Sequence, residues 1–206
     1  MTGCEEMLDA SPENQARHRR VLDMLRRQYN QAVMNNTHRA EYVERMIASE
    51  LGLDWELMWE RGRDWAGWDC QHTTSEGRIE IKQSAARQSW DLEALAPRRS
   101  PRFDIAPRTR YWTEQGGGRW VDHQGRPADL YVFAWHDKRR DGDADHRNAG
   151  QWFFFVVAEQ DLPRNQKSLG LTGLRAITSP CRIADLARAV RNACPEPNAL
   201  KAARGF

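Results

Sequence analysis

From Glu13 to about Asn35, apolar residues Val21, Leu22, Leu25, Tyr29, Ala32 and Val33 recur at helical spacing, with Arg17, Arg19, Arg20, Arg26 and Arg27 between them. This pattern predicts an amphipathic helix. A second helix is expected from Thr37, whose hydroxyl can cap the following amides, to Gly52, with Ala40, Val43, Ile47 and Leu51 as its buried stripe. The period then changes. WAGWDCQHTT turns through SEG into RIEIKQSA, where apolar and polar residues alternate as in a β-hairpin. Further on, ADLYVFAWH and QWFFFVVAE are apolar runs of strand length. The second is nearly continuous, which predicts burial on both faces, and both are expected as central strands. DKRRDGDADHRNAG between them reads as a polar loop, and IADLARAVRNA, from Ile183 to Ala193, as a closing helix before Pro195. The expected order is α, α, β, β, β, β, α.

Length and composition narrow the class. A chain of 206 residues fits one domain, 1–206, with residues 1–36 as an N-terminal helical extension and 89–127 as an arginine-rich insertion. The apolar share of 40% and charged share of 29% are ordinary for a globular protein, and no apolar run approaches the ~20 residues of a membrane span. The opening MTGCEEMLDASPEN has neither the basic start nor the apolar stretch of a secretory signal, so a cytoplasmic protein without membrane attachment is expected. Cys4, Cys70, Cys181 and Cys194 form no C-x-x-C pair and are expected as reduced thiols; Gly116 to Gly118 is the only low-complexity stretch.

A net charge of +2 says little, but its clustering says more. Residues 97–112 hold Arg98, Arg99, Arg102, Arg108 and Arg110 against Asp104, a pattern that suits a polyanion and equally suits a solvated loop. Trp90 and Trp112 flank this segment; their indoles could stack on unpaired bases, although core packing is the expected use.

The candidate chemistry lies in the hairpin. Asp69 precedes Glu80 and Lys82, with Ile79 and Ile81 interleaved as a half-buried strand demands. If the turn is Thr74 to Gly77, Thr73 faces Arg78, Asp69 lies opposite Lys82, and Glu80 is its diagonal neighbour on the same face. Cys70 then faces Ile81 and Trp68 faces Gln83 on the other face. A slip of one residue would move Asp69 to the other face. Two carboxylates on one face suit Mg²⁺, a hard cation that takes oxygen ligands and keeps several waters. Such an ion can polarise a phosphate oxygen and acidify a water, while the ammonium of Lys82 orients that water or offsets developing negative charge. The plain alternative is a hairpin carrying a surface ion pair between Glu80 and Lys82.

Through RAEYVERMIASELG, WAGWDC and IEIKQSAARQSW, in this order and spacing, the chain resembles the restriction-endonuclease-like, or PD-(D/E)XK, nucleases over roughly residues 38–190. It looks closest to a bacterial branch that also carries ADLYVFA and QWFFFVV. The resemblance implies an α/β fold with a mixed central β-sheet flanked by helices, of αβββαβ type. It also implies a metal held by a helix glutamate, Asp69 and Glu80. The AEY match points to Glu41, whereas the apolar stripe centres nearer Glu44; Glu41 is taken as the ligand and Glu44 held in reserve. Gln88 in QSW resembles a glutamine that exonuclease-like branches place against the site. Residues 89–127 depart from the family pattern, which has a helix between the third and fourth strands.

The function expected from these residues is a Mg²⁺-dependent deoxyribonuclease of restriction or defence type, with Mn²⁺ able to substitute. DNA is the expected partner, and a homodimer is expected on the ground that a duplex has two strands to cut. A catalytically silent nucleic-acid-binding or interaction module and an RNA-cutting enzyme are the competing readings. His136, Asp137, Asp141, Asp143, Asp145 and His146 could suggest a second metal site, but a run of mixed charges is ordinarily a solvated connection. His72 and His123 show no partner in sequence and are left without a role.

Overall fold

The computed structural model describes residues 11–63, 65–113 and 118–194; Cys4, Gly116, Gly117 and Pro195, noted above, lie outside them. The first helix, α1 (Pro12–Tyr29), is capped by Ser11, whose side chain accepts from the Asn14 amide. It stops at Tyr29 rather than Asn35 because Asn35 has another task, capping the next helix by accepting from the His38 amide. Thr37 therefore sits inside the first turn of α2 (Asn36–Leu51) rather than at its cap. Helix α2 ends at Gly52, whose φ of 101° a residue with a side chain rarely adopts. It buries Val43 and Ile47 as expected, together with Arg39.

The strands are β1 (Trp55–Leu57), β2 (Cys70–His72), β3 (Arg78–Ala85), β4 (Arg102–Asp104), β5 (Arg108–Thr113), β6 (Arg119–Gly125), β7 (Leu130–His136), β8 (Trp152–Ala158) and β9 (Ser168–Gly170). Helices α3 (Leu171–Ile177) and α4 (Ile183–Ala193) close the described chain. The fold is mixed α/β. Its main sheet runs β1-β2-β3-β7-β8, with β3 and β7 parallel and the other neighbours antiparallel, so β3 occupies the centre. Every residue of β7 is buried. Strand β8, expected as central, is outermost. Its apolar run reflects burial of its faces, not its place in the sheet, and its outer edge is closed where Phe154 and Cys181 exchange backbone hydrogen bonds.

Alternation along the strands divides the core in two. Ile79, Ile81, Val132 and Phe154 pack with Val43 and Ile47 of α2 and Leu186 and Val190 of α4. On the other face, Tyr131, Phe133, Phe155 and Val157 pack with Phe103, Leu169 and Leu174. Glu80 pairs in register with Tyr131 and Lys82 with Phe133, which puts both on this second face.

The hairpin register differs from the expected one by two residues. Cys70 lies opposite Ile79 and Gln71 opposite Arg78, and the His72 amide donates to the Gly77 carbonyl. Thr73 to Glu76 form the loop in place of the expected Thr74 to Gly77, with Glu76 in the left-handed conformation at φ 57°. A displacement of two preserves which face each residue occupies.

Among the described residues of 89–127 there is no helix, and the solvated-loop reading is corrected. Strand β4 pairs with β9, and β5 with β6, with an irregularity between Arg108 and Arg110. The parallel pair β3 and β7 is thus connected through β-structure rather than through the usual crossover helix. Among the described residues no helix is long and apolar enough to cross a membrane.

Candidate active site

The site forms where β2 leaves β3. Asp69 stands just before β2, and its amide donates to the Ile79 carbonyl. Beyond this point the Ile81 amide is bonded by the Asp69 side chain, through Oδ2 at 2.6 Å, rather than by a neighbouring strand. Glu80 is 3% exposed, and its Oε1 accepts from Lys82 Nζ at 2.5 Å and from Arg108 Nη2 at 3.0 Å. Lys82 and Arg108 remain partly open to solvent. From the helix side, Glu44 accepts from Trp59 Nε1 at 3.0 Å.

This is not the surface ion pair of the plain alternative. Burying a carboxylate with its cations costs desolvation that their attraction rarely repays in full, and here further acids crowd the same spot. Burial first, then the charges of Glu80 and Glu44, hold the Asp69 carboxyl well above the usual carboxylate range, against the opposing Ile81 amide and Lys82. Glu44 is pushed up to about 7, chiefly by burial and further by Glu41 and Glu80, while the Trp59 indole and Lys82 pull the other way. Burial and the Glu80 charge likewise raise Tyr131. Acids perturbed by one another in a partly open spot are the pattern of a functional site.

These residues fit a divalent cation: three mutually repelling carboxylates gain from a shared counter-ion, and Mg²⁺ needs only one or two of them, its other positions being filled by water and phosphate. Asp69 and Glu80 would hold it, with Glu44 from the helix. No group of three or more His, Cys, Asp or Glu side chains among the described residues is already arranged to hold a metal ion. Their hydrogen bonds explain this, since Glu80 is engaged by Lys82 and Arg108, and Asp69 by the Ile81 amide.

The raised acids give a pH test. Each favours the protonated, folded state, so the stability Glu44 contributes is full below its ordinary 4.5 and is lost as pH rises through about 7. That interval corresponds to on the order of 3 kcal/mol before solvent screening. In EDTA, Tm is expected to fall by roughly 5 °C between pH 5 and pH 8. If Mg²⁺ binds the ionised acids, it should raise Tm more at pH 8 than at pH 5. Scanning calorimetry reads both; a Tm that climbs with pH in EDTA contradicts the electrostatics described.

Other expected residues have partners of their own. Glu41 accepts from the Tyr29 hydroxyl, a bond that, with burial, holds the phenol up at about 12; it is Glu44 whose charge reaches Asp69. Gln88 is buried, accepts from Arg39 Nη1 at 2.9 Å and donates to the Ala85 carbonyl at 2.6 Å, a structural engagement with no bond to Asp69, Glu80 or Lys82. The five arginines disperse. Arg108 reaches Glu80, Arg99 forms a two-pronged pair with Asp91, Arg102 donates to Ser168 Oγ, Arg110 lies over Trp120, and Arg98 is exposed. Trp90, expected in the core, is 62% exposed.

In the polar loop, Asp141, Asp143 and Asp145 pair with Arg87, Arg140 and Arg147, and His136 and His146 are buried against Trp152. His72 Nδ1 accepts from the Thr74 and Ser75 amides and so shapes the turn, while His123 packs on Tyr111. Arg108, expected among the arginines suited to a polyanion, bridges from the insertion to Glu80, and Trp59, which holds Glu44, carried no sequence signal. Compared with family models, with curated proteins and with solved structures, the chain matches none.

Proposed function

We propose that the protein is a metal-dependent nuclease that hydrolyses DNA phosphodiester bonds on a restriction-endonuclease-like core, as a restriction- or defence-type endonuclease. The carrying observation is the meeting of Asp69, Glu80 and Lys82 at one strand fork with a helix glutamate, Glu44, in electrostatic reach. When bound, Mg²⁺ or Mn²⁺ would supply Lewis-acid polarisation of a phosphate oxygen. Lys82 puts its amine beside that position, able to orient the attacking water and to offset charge developing on the phosphate. Arg108 can exchange Glu80 for a phosphate oxygen, which places the scissile group against the site. Burial of Glu80 keeps bulk water away from the acids and strengthens each of these interactions. A homodimer would present two such sites to a duplex.

A non-cutting binding module is favoured by one observation, the engagement of Glu80 by two cations. Incubation of the purified chain with plasmid, linear duplex, single-stranded DNA and RNA, in Mg²⁺, Mn²⁺ or EDTA, decides. Cutting of DNA with either metal and none in EDTA is expected. Binding without cutting under every metal supports the module, and cutting of RNA alone changes the substrate.

A further inference from the structure

The β5–β6 hairpin carries a surface that neither core explains. Tyr111 turns inward onto Trp68, at 5.5 Å between rings. Alternation therefore sends Arg110 and Trp112 to the opposite face, where Trp112 lies across from Trp120. The Arg110 guanidinium sits 5.0 Å from the Trp120 ring centre, and Trp65, from the segment before β2, meets Trp120 edge-on at 6.3 Å. Trp65 is 71% exposed and Trp120 49%, an arrangement that leaves large indole faces in water. Between the hairpin and the catalytic strands, a cavity of about 230 Å³ is lined by Arg63, Trp68, Gln71, Arg78 and Trp112.

We propose that Trp65, Trp120 and Arg110 form a stacking platform for unpaired bases, so that the DNA engaged by this protein includes a single-stranded or frayed segment. This rests on the nuclease reading and specifies its substrate. Exposed indole faces beside a guanidinium select the occupant. Arg110 over Trp120, with Asp122 across from it on the neighbouring strand, matches bases with free π-faces, which a paired duplex hides. The platform adjoins the site along one strand: Arg108, which touches Glu80, lies two residues before Arg110, and the irregularity between them lets Arg108 face the site while Arg110 faces the indoles. A strand of DNA held at Arg108 by a phosphate can thus lay its next bases on Trp120 and Trp65.

The test is fluorescence anisotropy in EDTA with the full chain, using labelled oligothymidylate and a duplex of equal length. Trp120→Ala and Trp65→Ala are each expected to weaken single-strand binding about ten-fold and duplex binding less than about two-fold. Trp120→Phe, which keeps a ring, should recover most of the loss and excludes misfolding as its cause. Equal losses on both polymers, no loss on either, or no nucleic-acid binding overturns the platform. So does self-association through Trp120, seen by sedimentation. If Trp120→Ala leaves single-strand binding intact while DNA is still cut in Mg²⁺, the platform falls and the nuclease stands. If the platform behaves as expected and nothing is cut, the nuclease reading falls alone.

Discussion

Lys82→Ala should cut DNA at least about 10²-fold more slowly than the native chain while binding Mn²⁺ with little change. The reason is a division of labour on one strand. Glu80 and Lys82 share a face, so the amine can act at a phosphate beside the acids without itself being a ligand. Removing Lys82 also deprives buried Glu80 of one of two cations, and Arg108 remains to hold it. Asp69→Ala should behave differently, losing ion uptake and cleavage together, and it frees the Ile81 amide that the carboxylate now satisfies. Single-turnover cleavage with metal titration separates the two variants. Native rates in Lys82→Ala would remove the amine from the chemistry.

Arg39→Ala should destabilise the fold by about 3 kcal/mol, lowering Tm by roughly 6–12 °C. Arg39 is 2% exposed and donates to Gln83 at 2.6 Å, Gln88 at 2.9 Å and Asn36 at 2.8 Å, joining the first turn of α2 to β3 and the segment after it. Its acceptors are neutral amides, and burial pulls its pKa down to about 10, so the guanidinium is held by geometry more than by charge. Truncation leaves a cavity and deprives the Gln83 and Gln88 oxygens of this donor, while Asn36 Oδ1 keeps a bond from the Gln83 amide. Arg39→Lys should recover little, because an ammonium cannot span three acceptors placed around a planar fork. Urea midpoints measure both variants; a loss under about 1 kcal/mol for Arg39→Ala contradicts this role.

The site was legible because two residues apart on a strand share a face whatever the register, so Glu80 and Lys82 were bound to meet. Asp69 lies just outside the paired residues of β2 and reaches the same stretch of β3 through its own groups, its amide on the Ile79 carbonyl and its carboxylate on the Ile81 amide, which register reasoning could not foresee. The helix glutamate shows two kinds of signal disagreeing. Motif matching pointed to Glu41, whereas the apolar stripe pointed to Glu44, and the charge that reaches Asp69 is that of Glu44, adjacent to buried Val43. Periodicity reports which way a helix face points, and a short motif does not.

The short strands β1, β4 and β9 span too few residues to show a period, and α3 is equally brief. Strands β5 and β6 were hidden for another reason. Much of their surface is exposed or half-exposed, so RTRYWT and RWVDHQG lack the apolar alternation by which a half-buried strand is read. The outermost place of β8 was equally unreadable, because its free edge is covered by backbone bonds to Cys181, residues away in sequence.

Isothermal titration of Mn²⁺ into the native chain and Asp69→Ala at pH 8 bears most directly on the acids as an ion site. Uptake by the native chain, accompanied by proton release as the raised carboxyls ionise and abolished in the variant, is the expected result. Equal heats for the two proteins, or no uptake by either, would contradict it.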